Sequence, residues 1–132
     1  MHELLDAKNQ TLQSYAERFN LQTLVEIDGR VGDSVTLLNE ALSELNTPAL
    51  FWLDGNCAAD SLEIPIYAEL LAVFSHHVKN HVILINGARR FGREANCPTV
   101  DEFLGWITVR RRDLGVIIRD DIIHLVPPHC LT

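Results

Sequence analysis

The feature that most constrains this chain is a set of short, mostly apolar runs separated by segments of helical periodicity. The runs lie at 24–27, 49–53, 81–85, 116–118 and 122–126. Strands that are apolar throughout, rather than alternating, are typical of a sheet buried on both faces. Strands that alternate with helices form parallel βαβ units. The pattern therefore predicts an α/β domain built around a mostly parallel sheet of about five strands.

Four segments carry the period of an α-helix. They span 3–19, 35–45, 62–77 and the stretch that follows Thr99. Thr99 and Glu102 have the spacing of a capping box, so Thr99 is predicted as the N-cap of the fourth helix. The last two apolar runs flank only Arg119-Asp120-Asp121, which predicts an antiparallel hairpin. The order α, β, α, β, α, β, α, β, β in 132 residues predicts one domain that comprises residues 1–132.

Composition argues against several partners. The 18 acidic and 11 basic residues give a net charge of −7, which repels nucleic-acid phosphates. No apolar run approaches the length of about 18 residues that a membrane helix needs, and no basic segment leads into an apolar one. We therefore expect no nucleic acid, no membrane and a cytoplasmic location.

The cysteines are three in number and widely spaced. They are Cys57, Cys97 and Cys130. An odd count without a CxxC pair predicts neither a disulfide framework nor a structural zinc site, and it is typical of a reducing compartment. Cys57 and Cys97 follow strands that end at the same edge of the sheet, so we expect these two thiols to lie near one another.

Several short sequence motifs follow one another along residues 49–127. They are Phe51-Trp52-Leu53-Asp54-Gly55, Glu63-Ile64-Pro65-Ile66 with Glu69-Leu70, Asn80-His81-Val82-Ile83-Leu84-Ile85 with Ala88-Arg89, Pro98-Thr99-Val100-Asp101-Glu102-Phe103, and Asp120-Asp121-Ile122-Ile123. In this order they resemble the C-terminal half of class I S-adenosylmethionine-dependent methyltransferases, in the macrocin-O-methyltransferase-like family. The resemblance implies a Rossmann-like, mostly parallel sheet with a C-terminal antiparallel hairpin and helices packed on it.

The resemblance also implies candidate catalytic residues, namely Asp54, Asn56 and Asn86. Asp54 matches the aspartate that ends the family's fourth strand, Asn56 stands where the family has a histidine, and Asn86-Gly87 stands where it has Asp-Asp. In metal-dependent members these carboxylates hold a divalent cation. One carboxylate and one amide make a poor magnesium site, so no metal is predicted.

Residues 22–45 are open to two interpretations. In the first, Gly32-Asp33-Ser34 matches the family's third strand, which implies Asp33, Ser34 and Asp54 as cofactor-binding residues. In the second, residues 25–34 are an altered first strand with its glycine loop, and Asp28 and Arg30 occupy the places of glycines. Side chains there obstruct the tight turn and the close approach of a ligand. Both interpretations place this strand beside the Asp54 strand.

Arginines cluster after the strand that ends at Asn86. Arg89 and Arg93, with Arg90, are candidates for an anion-binding site, because guanidinium groups bind carboxylates and phosphates. The alternative is a solvated loop of arginines.

The handedness of the crossovers predicts how the helices are distributed. Right-handed connections between strands that add in one direction place three connecting helices on one face. Only the N-terminal helix, roughly 25 Å long, is left for the other face. We therefore expect that face to be largely bare and to be buried in a homodimer.

Two hypotheses for function follow. The first is a truncated methyltransferase-like domain without catalysis, acting as a dimeric binding or interaction module, with a protein as its partner and no cofactor. The second is a small S-adenosylmethionine-dependent methyltransferase that completes its site across a dimer or with another chain.

Overall fold

The structure, a computed structural model, describes residues 2–27, 34–54, 65–94 and 97–128, with side chains from residue 8 onward. The helices are α1 (His2–Arg18), α2 (Ser34–Ser43), α3 (Pro65–Phe74) and α4 (Val100–Arg110), and a 3-10 turn spans Ala88–Arg90. The strands are β1 (Leu24–Ile27), β2 (Leu50–Asp54), β3 (Val82–Asn86), β4 (Gly115–Arg119) and β5 (Ile122–Val126). The predicted order of elements is confirmed.

These strands form one mixed sheet in the order β1-β2-β3-β5-β4. The first three are parallel, β5 is antiparallel to β3, and β4 and β5 form the predicted hairpin. In its turn, Asp120 and Asp121 have φ values of 56° and 64°. Two successive left-handed residues are typical of the tight type I′ turn, and aspartate tolerates that backbone better than most residues.

One face of the sheet carries the main core. Phe51, Leu53 and Ile83 from the strands are buried with Leu70 of α3 and Phe103 of α4. Successive strand residues point to opposite faces. The strand residues of this face form one cluster with residues of α2, α3 and α4, so all three helices pack on this side. The three connecting helices therefore lie on one face of the sheet, as predicted from the right-handed crossover rule.

The prediction that the other face is largely bare is wrong for the central strands. Tyr15 of α1 and Leu21 pack there against β2 and β3, and Trp52 is only 7% exposed. The reason is geometric: β2, β3 and β5 span only about 10 Å between the outer two axes, which matches the diameter of one helix. Exposed apolar side chains remain at the edges of the sheet, on Leu24 of β1 and on Val116, Ile117 and Ile118 of β4.

A buried polar contact fixes α1 on this face. The Tyr15 hydroxyl and His124 Nδ1 of β5 share a hydrogen bond of 2.8 Å. Lys8 lies 4.8 Å from the centre of the Trp52 ring and forms an ion pair of 3.1 Å with Glu26 of β1. The helix is thus tied to both halves of the sheet.

A chain of histidine hydrogen bonds closes the opposite end of the core. The Ala49 N–H donates to His81 Nδ1 at 2.9 Å, so His81 Nε2 carries the ring proton and donates to His76 Nδ1 at 2.9 Å. His76 Nε2 then donates to the Leu42 carbonyl at 2.9 Å. Each ring nitrogen of the two histidines is used once. Burial is the main cause that lowers the pKa of His81 to about 4.

Some helix boundaries differ from the prediction. The third helix ends at Phe74 rather than at 77, because His76 leaves the helical path to join the hydrogen-bond chain. The predicted cap of α4 is confirmed, since Thr99 Oγ1 accepts the Glu102 N–H at 3.1 Å.

Cys97 is disulfide-bonded, a single bond that the prediction of no disulfide framework did not address. Cys57 and Cys130 both lie outside the described residues. No helix in the part of the chain that the structure describes has the length and apolar character to cross a bilayer.

Candidate functional site

Two of the three catalytic candidates come together at the carboxyl edge of the sheet. Asp54 ends β2, Asn86 ends β3, and the two are paired in register. Both side chains are half-buried. Open α/β sheets bind ligands at this edge. The third candidate, Asn56, lies outside the described residues.

A guanidinium group lies against Asp54. Arg90 Nη1 is 3.4 Å from Asp54 Oδ1, and both side chains are shielded from solvent over most of their surface. Arg90 Nε also lies 3.9 Å from Glu94 Oε1. A positive charge from the chain itself therefore neighbours the carboxylate at the end of β2.

Gly87 makes the position of Arg90 sterically accessible. Its φ is 89°, in the left-handed region that favours glycine, and a Cβ atom there would lie 3.0 Å from Arg90 Nε and 3.2 Å from Cζ. The guanidinium thus rests on the bare backbone of Gly87. An aspartate at this position would push the arginine away.

The strongest electrostatic anomaly is a buried glutamate that sequence analysis did not assign to the site. Glu69 of α3 is 0% exposed, and within the described residues neither Oε1 nor Oε2 has a hydrogen-bond partner. Burial raises its pKa to about 8, and the negative charge of Asp54 adds to the effect. Glu69 is therefore mostly protonated at neutral pH.

A signal for Glu69 was present in the sequence. It follows Ile66 by three residues and precedes Leu70 and Val73, so it lies on the apolar stripe of α3. A charged residue in such a stripe is rarely fully buried without a partner. From the sequence, Glu69 was noted only as part of Glu69-Leu70, one of the motifs that resemble methyltransferases, and not for its position on the helix.

The charge of Asp54 acts on Glu69. A carboxyl group whose pKa is raised to about 8 can act as an acid at neutral pH. Deprotonating Glu69 places a second negative charge near Asp54. A ligand that brings a positive charge or a hydrogen-bond donor to Glu69 lowers its pKa and satisfies its oxygens.

Two arginines of the predicted anion-binding cluster, Arg89 and Arg90, lie near carboxylates. The Arg89 backbone N–H donates to Asp121 Oδ1 at 2.8 Å, and Arg89 Nε lies 3.6 Å from Asp121 Oδ2. The Gly87 and Ala88 N–H groups donate to the Asp121 carbonyl. Arg93 is exposed. Anion binding by Arg89 and Arg93 stays a prediction.

Of the residues predicted to bind a cofactor, Ser34 and Asp54 lie in the described part of the chain and Asp33 lies outside it. Ser34 is buried at the first position of α2, so it is not part of a strand. β1 lies beside β2, with Ile27 opposite Leu53, as both interpretations of residues 22–45 require. The carboxyl end of β1 therefore reaches the same edge as Asp54.

Within the described residues, no group of three histidine, cysteine or acidic side chains is arranged to hold a metal ion. Comparisons of the chain with protein-family models, with curated proteins and with solved structures give no match. The resemblance to methyltransferases therefore stays a prediction from the sequence.

Proposed function

We propose that this chain is a small-molecule-binding domain of Rossmann-like, methyltransferase-like architecture. Its ligand lies at the carboxyl edge of β2 and β3 and brings a positive charge or a hydrogen-bond donor to Glu69. The observation that carries this proposal is that Glu69 is fully buried with both carboxyl oxygens unpartnered among the described residues.

In the protein without ligand, burial of Glu69 carries a free-energy cost. A buried polar group without a hydrogen bond costs about 1–3 kcal/mol, and buried unsatisfied groups in native proteins call for a specific explanation. An apolar residue in the stripe of α3 would avoid this cost. Functional sites are where proteins retain such costs.

The resemblance along residues 49–127 supplies the first ligand to test. S-adenosylmethionine carries a sulfonium and an amino group, both positively charged near neutral pH. S-adenosylhomocysteine lacks the sulfonium charge and is otherwise similar in shape. A site whose acceptors are Asp54 and Glu69 binds the charged compound more tightly.

Binding without methyl transfer is the form we favour. The positions that carry the family's second metal carboxylates and its proton acceptor are Asn86, Gly87 and Asn56 here. In addition, Arg90 already lies against Asp54. These replacements keep a polar edge on the sheet and remove the groups on which catalysis depends in the family.

One observation supports the second candidate, a working methyltransferase. The pKa of Glu69 is about 8, and an acid–base group near the operating pH is suited to proton transfer. In that case Glu69 or Asp54 takes the proton of the methyl acceptor, and the rest of the cofactor site comes from a second copy or another chain.

The test is calorimetric titration of S-adenosylmethionine and S-adenosylhomocysteine into the wild type, Glu69→Gln and Glu40→Gln. Glu40 is an exposed residue of α2, so it controls for the same chemical change. We expect micromolar binding by the wild type and by Glu40→Gln, and binding at least tenfold weaker by Glu69→Gln. Absence of binding by the wild type up to millimolar ligand contradicts the proposal. Turnover of S-adenosylmethionine with an added acceptor would favour the second candidate.

A further inference from the structure

We propose that the outer edge of β4 pairs in antiparallel orientation with β4 of a second copy of this chain. The two sheets then continue into one another across a two-fold axis. The observation is a run of three adjacent apolar side chains, Val116, Ile117 and Ile118, all of them exposed; Ile117 is 41% exposed. Neighbours along a strand point to opposite faces, so β4 is bare on both faces.

The backbone of β4 is also available for pairing. In the described sheet, β4 is hydrogen-bonded to β5 alone and lies at the end of the order. Its other side therefore presents unpaired N–H and C=O groups. Exposed edges with apolar, β-branched side chains pair readily with another strand.

The opposite edge of the sheet is guarded. β1 carries the exposed Glu26, whose Oε1 lies 3.1 Å from Lys8 Nζ. Charged side chains on an edge strand oppose pairing with another chain. Residues 115–118 of β4 contain no charge and no proline. Of the two edges of the described sheet, only the β4 edge is free of such a charge along its strand, so pairing closes after two copies and does not grow into a filament.

Charge selects a second copy in antiparallel orientation. The exposed Arg112 precedes β4, and the exposed Asp120 follows it. A two-fold axis at Ile117 brings Arg112 of one copy near Asp120 of the other, at both ends of the interface. Parallel pairing would instead place like charges together. Opposite charges across such a pair are stabilising and like charges destabilising.

The same register is sterically favourable. Val116 lies opposite Ile118 of the second copy on the face that α4 covers, and Ile117 meets its own copy on the face that α1 covers. Arg119 lies opposite Gly115 of the second copy, which has no side chain and leaves room for the longer one. Apolar pairs of β-branched residues are the favourable unit of such sheets.

This interface replaces the one expected from sequence. That expectation rested on a bare sheet face, and the face is covered by α1 over its central strands. Pairing through β4 does not depend on ligand binding, so a negative result for either proposal leaves the other unaffected.

The test is analytical ultracentrifugation of the wild type, Ile117→Lys and Val109→Lys. Val109 on α4 is 77% exposed, so it controls for a lysine that replaces an exposed apolar residue elsewhere. At tens of micromolar we expect twice the mass of one chain for the wild type and for Val109→Lys, and the mass of a single chain for Ile117→Lys.

A second variant covers the case in which Ile117→Lys does not fold. The double variant Val116→Thr/Ile118→Thr keeps β-branched side chains while it removes apolar contact, and we expect it to raise the dimer dissociation constant at least tenfold. A monomeric wild type, a dimer that survives in folded Ile117→Lys, an unchanged dimer dissociation constant in the double variant, or a mass that grows beyond two chains would each overturn the proposal.

Discussion

Arg90 reaches Asp54 across the bare backbone of Gly87, with Nη1 3.4 Å from Oδ1. Asp54 also acts on Glu69, because its negative charge adds to the burial that raises the pKa of the glutamate. A single aspartate at the end of β2 thus couples an arginine to a buried acid. This arrangement makes several outcomes measurable.

The first prediction concerns the pH dependence of stability. The pKa of Glu69 rises from 4.5 to about 8 on folding, so its contribution is fully present below pH 4.5 and is lost as the pH rises towards 8. Glu69→Gln mimics the protonated form and lacks this loss. We expect the two proteins to be similarly stable at pH 5, and the variant to be more stable by several kcal/mol at pH 8.

Urea unfolding at several pH values measures this difference. Glu40→Gln, on the exposed face of α2, serves as the control and should follow the wild type at every pH. A gap between Glu69→Gln and the wild type that stays constant from pH 5 to pH 8 would show that Glu69 ionises normally.

The second prediction separates two effects of a glycine. Gly87 and Gly92 both have positive φ, at 89° and 83°, so alanine is strained at either position. Only at Gly87 does the added Cβ meet the Arg90 side chain, at 3.0 Å; at Gly92 the nearest atom lies 3.5 Å away. We expect Gly92→Ala to cost about 1 kcal/mol and Gly87→Ala to cost more.

Thermal unfolding of both variants checks this, in the wild-type background and with Arg90→Ala. The excess cost of Gly87→Ala should shrink once Arg90 is shortened. An excess that is unchanged in the Arg90→Ala background would mean that Gly87 acts through its backbone alone.

The third prediction concerns His81. Its pKa falls from 6.5 to about 4 on folding, chiefly through burial, with His76, Arg111 and His77 also opposing its charge. Its contribution is therefore present above pH 6.5 and lost as the pH falls towards 4. His81→Asn retains an acceptor for the Ala49 N–H, so its stability should decline less between these pH values.

A matched variant tests the hydrogen bond itself. His81→Leu leaves the Ala49 N–H without its acceptor, which costs about 1–3 kcal/mol. Denaturant titration at pH 8 should therefore find the leucine variant less stable than the asparagine variant. Equal stability of the two would contradict the hydrogen-bond account.

The fourth prediction concerns the cysteines. Cys97 is disulfide-bonded, so one thiol of the three in the sequence should react in the denatured, unreduced protein. β5 ends beside the start of β3, at the edge of the sheet opposite Asp54, and Cys130 follows β5. Cys57 follows β2 at the Asp54 edge. We therefore expect peptide mapping to recover Cys57 linked to Cys97.

Cys97→Ser provides the matching stability measurement. Removing a native disulfide typically costs about 2–5 kcal/mol, and the loss should disappear when wild type and variant are compared under reducing conditions. Three reactive thiols in the unreduced protein, or a Cys97–Cys130 peptide, would contradict this account.

The strands could be predicted because a short apolar run in a domain of this size is typical of a strand buried in a sheet. β1 was predicted at its observed bounds, and the hairpin followed from the short link between β4 and β5. The cover on the second face was not predictable from helix length, because it depends on the width of the central strands and on the sizes of Tyr15 and Trp52. The odd cysteine count does not exclude a single bond.

The site was predictable only in part. Asp54 and Asn86 could be placed together because neighbouring parallel strands end at one edge. The role of Gly87 could not, because it requires the backbone angle and the path of the Arg90 side chain. Glu69 was visible as a charge on an apolar stripe, yet its lack of partners among the described residues is a property of the packed structure.

The most direct test of the central claim is calorimetric titration of S-adenosylmethionine at pH 7 to 8 in two buffers of different ionisation enthalpy. If the ligand's positive charge engages Glu69, its pKa of about 8 falls on binding and a proton is released to the buffer. We predict micromolar binding by the wild type with a buffer-dependent heat, and no such buffer dependence in Glu69→Gln. Binding that releases no proton, or no binding up to millimolar ligand, would contradict the account.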